Sequence, residues 1–251
     1  MAALAEIVQY ANEYLRVDEC GDWPNALNGL QVENSGRVDR MGAAVDASSR
    51  AVRAAAEQGI DLLLVHHGLF WPGVQAITGP VRRQLGLLFD CNIALYSAHL
   101  PLDVHPIAGN NAQLAAALGL SDLEPFLEAK GQLVGLRASF QIFPNELARK
   151  LEAATGFDVT LFASGPATTR TIGIITGGAG AEIHAVAREG VDTFITGEAP
   201  HWAAIAAEEL GVNLLLGGHY ATETFGVKAL AAQLSQRFDL PWDFIDAPTG
   251  L

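Results

Sequence analysis

The sequence predicts an α/β protein made of two α/β domains, with mixed, largely parallel sheets flanked by helices. Three observations carry this. Short apolar runs alternate with helix-like stretches along almost the whole chain, the order of β-α-β units. The run Leu62-Leu63-Leu64-Val65 is too short for an ordinary helix and reads as a buried strand. Half of the 251 residues are apolar, enough to bury the core of one large domain or two smaller ones.

Residues 4–15 read as an amphipathic helix with Leu4, Ile7, Val8 and Leu15 on one side. A Gly/Pro/Asn-rich loop spans 21–31. Then follow a strand over 41–45, a helix over 48–58, a strand over 61–65, a helix over 81–89, a strand over 93–96 and a helix over 110–118. Gly119 and Gly131 bracket a loop-like stretch containing Ser121, Asp122 and Pro125, where a domain crossing is expected. Beyond it come a strand over 133–140, a helix after Pro144, a strand over 171–176 and a helix from about Ala181. Strand 193–195, helix 201–210, strand 213–216, a long helix over 221–237 and a terminal strand over 242–245 complete the chain. The expected division is 1–126 plus 217–251 as a metal-binding α/β domain and 127–216 as a second α/β domain, the halves alike in architecture but without a clear sequence repeat.

A net charge of −13 argues against nucleic acid as the main partner, because phosphate contacts need clustered Lys and Arg. The three lysines, Lys130, Lys150 and Lys228, are scattered. An anionic small substrate is still admissible, since bound cations reverse the local field. Cys20 and Cys91 show no metal-type spacing; Cys91, after an apolar helix, reads as a small buried hydrophobe, and a reducing compartment fits. The N-terminus lacks a basic n-region and no stretch is long enough to span a bilayer, so a cytoplasmic location without membrane partners is expected.

Chemistry concentrates in three places where an apolar run ends. The first is His66-His67, whose side chains are expected to diverge onto opposite faces and so to serve two neighbouring ions. The second is 97–105 (SAHLPLDVH), and the third is 217–223 (GGHYATE), where His219 and Glu223 share a face if helical. Should these loops meet at one carboxyl sheet edge, His66, His67, Asp103, His219 and Glu223 form a mixed N/O cage for two divalent ions, ~3.5–4 Å apart. Glu223 has the reach of a bridging ligand, Asp103 would complete one ion and His219 the other, and His99 is placed for proton transfer. Such ligation admits Zn, Mn, Fe, Co or Ni. A lone buried histidine is more often a hydrogen-bonded core residue; the threefold repetition of strand-end placement is what favours a metal.

Other features carry weaker signals. The segment 176–180 (TGGAG) offers glycines at a helix start for an anion, but a tight turn is the simpler reading. Glu198 and His201 form a polar pair that would face a metal cavity, or else cap a helix and lie on the surface. Phe70 and Trp71 would wall a base-stacking pocket, though a core role is favoured. His105 and His184 read as structural.

Four segments, 61–71 (DLLLVHHGLFW), 97–114 (SAHLPLDVHPIAGNNAQL), 196–201 (TGEAPH) and 217–224 (GGHYATET), together with the early loop Asn28-Gly29-Leu30-Gln31, strongly resemble the NGG-interacting-factor-like family. Its bacterial members are catalogued as GTP cyclohydrolase I type 2 homologues. The resemblance runs in order over nearly the whole chain and fits the compact form, without the inserted domain of longer members. It implies two α/β domains, a toroidal homohexamer and a dinuclear site per subunit whose ligands fall on His66, His67, Asp103, His219 and Glu223. The expected function is a metal-dependent hydrolase, with ring opening of GTP by metal-activated water as the reaction the family name carries. His99 or His201 would shuttle protons to a small-molecule, nucleotide-like substrate. The alternative is a non-enzymatic metal-binding or regulatory hexamer; DNA association through the ring interior is disfavoured by the charge.

Overall fold

The apolar runs sort into two large sheets, one in each of two units. The structure is a computed structural model describing residues 1–251. The first unit comprises Met1–His105 and Gly226–Ala247, and the second Pro106–Phe225 and Pro248–Leu251.

In the first unit five strands lie in the order Trp242–Phe244, Met41–Asp46, Leu62–His67, Ala94–Ser97, Gly29–Val32. The first four are parallel and the last is antiparallel. Leu62–His67 is therefore the central strand, and the alternation of its side chains is resolved by two cores. Leu62 and Leu64 pack with Leu4, Ile7 and Leu15 of helix Leu4–Leu15 and with Val227, Leu230 and Leu234 of helix Thr224–Phe238. Leu63 and Val65 pack on the other face, with Val52 and Ala55 of helix Ser49–Glu57 and Leu88 of helix Gly79–Asp90. Each of the buried Leu, Ile and Val side chains among them contributes ~1.5–3 kcal/mol. That rigid centre fixes the strand's carboxyl end, where the paired histidines lie. A two-residue pairing of Ala2–Ala3 with Arg37–Val38 completes the unit.

In the second unit six strands lie in the order Glu124–Ala129, Gln132–Ser139, Thr171–Ile174, Thr193–Thr196, Asn213–Leu216, Thr160–Ala163. The two central pairings are parallel and the flanking ones antiparallel. Helices Asn110–Leu118 and Pro144–Thr155 bury Leu114, Leu118, Leu147 and Leu151 against Ile172, Ile195 and Leu215.

The chain passes between the units at 105/106, 225/226 and 247/248. Helix Asn110–Leu118 is the reason for the first: its apolar face belongs to the second sheet, and the Asn111 side chain accepts from Thr176 N–H and donates to the Val134 carbonyl. Several expectations are corrected. Gly29–Val32 and Glu124–Ala129 are edge strands where loops were expected; a proline is tolerated at such an edge. The expected long helix over 221–237 is two, His219–Thr222 and Thr224–Phe238. Cys91 is exposed, because it caps the solvent end of helix Gly79–Asp90. His105 is structural, with its Nε2 3.0 Å from the Tyr14 carbonyl, and His184 stacks on Trp202. No helix is long and apolar enough to cross a membrane.

Candidate metal centre

In the first unit the residues converge around the end of strand Leu62–His67. His66 is fully buried and its Nδ1 lies 2.9 Å from the Ala98 carbonyl. A carbonyl only accepts, so Nδ1 carries the hydrogen, and the other ring nitrogen, Nε2, lies 3.6 Å from Asp103 Oδ2. His67 is set the same way by a carboxylate, its Nδ1 2.9 Å from Asp46 Oδ1. The two rings do not part onto opposite faces as expected; their centroids are 4.7 Å apart. The strand alternation is instead expressed in their anchors. His66 is tied to the strand on one side, through the residue after Ala94–Ser97, and His67 to the strand on the other, through Asp46.

His99 joins them, its ring 5.0 Å from that of His66 and 5.6 Å from that of His67. The ligand atoms of the three histidines lie within 4.8 Å of one another, so the group could hold a metal ion. Its own anchor is Asp22, whose Oδ1 is 2.9 Å from His99 Nδ1. Asp22 also accepts from Asn28 and from the Leu100 and Trp23 amides. Burial alone would raise the Asp22 carboxyl, but the hydrogen bond and charge of His99, with Asn28 and the Trp23 amide, hold it below the ordinary carboxylate value.

In the second unit His219 and Glu223 meet as their spacing predicts, with Nε2 3.2 Å from Oε2. Glu198 takes the other ring nitrogen, Oε1 lying 3.0 Å from His219 Nδ1. Burial would lower the imidazole; Glu223 and then Glu198 override it and raise it to about 9. The glycines of 176–180 turn out to be spacers. Gly177 has φ +70°, and a Cβ on it would lie 2.1 Å from Glu223 Oε1 and 3.4 Å from His219 Nε2. A loop pressed against a buried carboxylate repels phosphate, so the close turn is the right reading of the glycines. Gly197 is equally confined, since its Cβ would lie 2.6 Å from the His219 Cα.

The structure thus brings His66, His67, His99 and Asp103 together in one unit, and His219 and Glu223 in the other. The Glu198–His201 pair divides: Glu198 orients His219, while His201 is exposed at the start of helix His201–Leu210. Sequence reasoning missed Asp46 and Asp22. Asp46 had a usable signal, since it ends a strand one place before Leu62–His67 in the sheet and pairs in register with His67. Asp22 had none, standing 77 positions from its partner. The donor set fits divalent first-row ions: imidazoles offered through Nε2, carboxylates beside them, and an oxygen acceptor fixing Nδ1 of each ring.

The profile of the Duf34/NIF3 (NGG1p interacting factor 3) family matches residues 2–249. A Deinococcus radiodurans protein named GTP cyclohydrolase 1 type 2 homolog is 41% identical over 249 residues, 98% of this chain and 94% of that one. A Pyrococcus abyssi protein of the same name is 39% identical over 252 residues, covering 98% of both. A crystal structure from Thermus thermophilus superposes with a TM-score of 0.92 at 42% identity, over 100% of both chains.

Proposed function

This chain belongs to the Duf34/NIF3 family, and from that premise we propose that it is a metal-dependent hydrolase with a dinuclear centre. His66, His67, Asp103, His219 and Glu223 would hold the two ions. The observation that carries this reading is the common setting of His66, His67 and His219. Each has Nδ1 fixed by an oxygen, and Nε2 of His66 and His219 is directed at a carboxylate. Oriented imidazoles beside carboxylates are what divalent-ion sites require, and a protein core has no other need of them in such number.

Divalent ions bound there would supply Lewis acidity and a water acidified toward neutral pH. Glu223, beside His219, would be one of the carboxylates holding the metal. His99, held by Asp22, is the group to hold and move a proton during hydrolysis; His201, exposed at its helix start, is the second candidate. The substrate is a small molecule, and the name shared by the relatives points to hydrolytic opening of the purine ring of GTP. The same proposal includes a cytoplasmic homohexamer and any of Zn, Mn, Fe, Co or Ni as the metal.

The test is a screen of metal-reconstituted protein against nucleotides, phosphoesters and cyclic amides. Turnover should require the metal, and His67→Ala and Glu223→Ala should abolish it while lowering the bound metal below two ions per chain. Turnover indifferent to chelation and to both substitutions overturns the proposal. Two tightly bound ions without any turnover would leave a metal-braced regulatory assembly.

A further inference from the structure

Three large aromatic side chains of the first unit stay partly in water, two of them beside the histidine cluster. Trp23, Phe70 and Trp71 are 43%, 40% and 36% exposed. The two apolar cores of that unit are built without them. The core role favoured for Trp71 by the sequence is therefore not the one it plays. Its ring leans on imidazoles, with centroids 4.4 Å from His99 and 5.3 Å from His67. Trp23 approaches the same His99 at 5.7 Å and stands at 75° to Trp71, 6.5 Å away. Two half-exposed indoles at a right angle make a corner: a flat ring stacked on one meets the other with its edge.

The corner is held rigid. Gln31 donates from Nε2 to the Ala26 and Leu27 carbonyls and accepts at Oε1 from the Leu69 amide. One side chain so ties the loop carrying Trp23 to the loop carrying Trp71. Gly68 has no room for a side chain beside that clip, since a Cβ there would lie 2.2 Å from the Gln31 amide. Asp22 anchors the other end of the Trp23 loop through Asn28, His99 and the Leu100 amide. Fixing two loops costs conformational entropy, and apolar rings left in water forfeit the gain of burial. Rings held open in this way are preorganised for a ligand.

We propose that Trp23 and Trp71 form a stacking corner for a planar nitrogen heterocycle of nucleobase size, which they hold against the His67–His99 face. Electron-rich indole stacks on such rings whatever their edge pattern, and the acidic balance of the chain disfavours a ligand recognised by its phosphates alone. The assignment deepens the hydrolase reading, in that it names the part of the substrate the protein itself grips, but stacking requires no turnover.

The experiment titrates the metal-loaded full chain with guanosine, adenosine and uridine, and with ribose and inorganic triphosphate as base-free probes. Binding is read by calorimetry and tryptophan fluorescence. The nucleosides should bind and the base-free probes should not compete with them. Trp71→Ala and Trp23→Ala should each weaken nucleoside binding about 5- to 150-fold, the equivalent of ~1–3 kcal/mol per stacked base. Trp71→Phe should restore most of it, Trp202→Ala should change nothing, and metal content should hold in all variants. Nucleoside affinity unchanged in both alanine variants, absent altogether, or unchanged while sedimentation shows a smaller assembly, overturns the corner. Failure of the hydrolase reading looks different: metal-independent nucleoside binding that still depends on Trp71, with no turnover.

Discussion

Asp46 and His67 end neighbouring parallel strands at the same register, and Asp46 Oδ1 lies 2.9 Å from His67 Nδ1. The sheet itself thus delivers a carboxylate to the imidazole, and the pair depends on strand order rather than on loop conformation. Removing such a partner leaves the ring free to rotate and less basic, at a typical loss of ~10–100-fold in metal affinity. Asp46→Ala is expected to lose metal affinity within that range with an unchanged circular dichroism spectrum. Calorimetric titration of the apoprotein with zinc measures it, and wild-type affinity would show the pair to be ornamental.

Glu198 serves His219 as Asp46 serves His67, but from a loop, with Oε1 at 3.0 Å. Glu198→Ala should weaken zinc binding by a similar ~10–100-fold. Glu198→Gln keeps an acceptor oxygen and should recover most of the loss. If the two variants behave alike, charge rather than orientation is what Glu198 provides, and the tautomer argument fails for this ring.

How far the sequence was legible follows from the range of each interaction. His66, His67, Asp103, His219 and Glu223 stand out because strand ends and helical spacing are local patterns. Their anchors are not local: Ala98 is 32 positions from His66, Asp46 is 21 from His67 and Asp22 is 77 from His99. The order of strands in the sheet reveals the first two, and only the folded loop reveals Asp22. Helix Asn110–Leu118 shows the same limit for the fold. Its sequence announces a buried face but not which sheet will cover it. The strands at Gly29–Val32 and Glu124–Ala129 escaped because edge strands tolerate the glycine and proline that mark loops.

The Gly177 spacer makes a sharper demand on one atom. Alanine there must adopt φ +70° and place its Cβ 2.1 Å from Glu223 Oε1. The left-handed backbone costs ~1–3 kcal/mol. The clash is relieved most cheaply by swinging the Glu223 carboxylate away, since it is the far end of a side chain. Gly177→Ala should therefore stay folded, with a lower urea midpoint, and should bind fewer ions per chain. Elemental analysis of the dialysed variant decides this; a full complement of metal would mean that Glu223 can move without consequence.

Stability and metal binding should separate elsewhere in the same unit. Phe126 is 2% exposed and faces Gly135 directly across the antiparallel pair. A Cβ on Gly135 would lie 2.4 Å from Phe126 Cε1 and 2.8 Å from Ile175 Cγ1, and one on Gly173 would lie 2.9 Å from Phe126 Cζ. The ring fills the space that two glycines leave on adjacent strands. Gly135→Ala overpacks it, at ~1–3 kcal/mol, which for a chain of this size lowers Tm by ~2–4 °C per kcal/mol. Zinc affinity should be unaffected, because the strain is in the sheet and not in the short helix His219–Thr222 that carries His219 and ends at Glu223. Trimming the ring in the double variant Gly135→Ala with Phe126→Leu should cost less than the two single losses added together, since the new methyl occupies part of the space vacated. Additive losses in thermal unfolding would show that the alanine is accommodated by backbone movement rather than by contact with the ring.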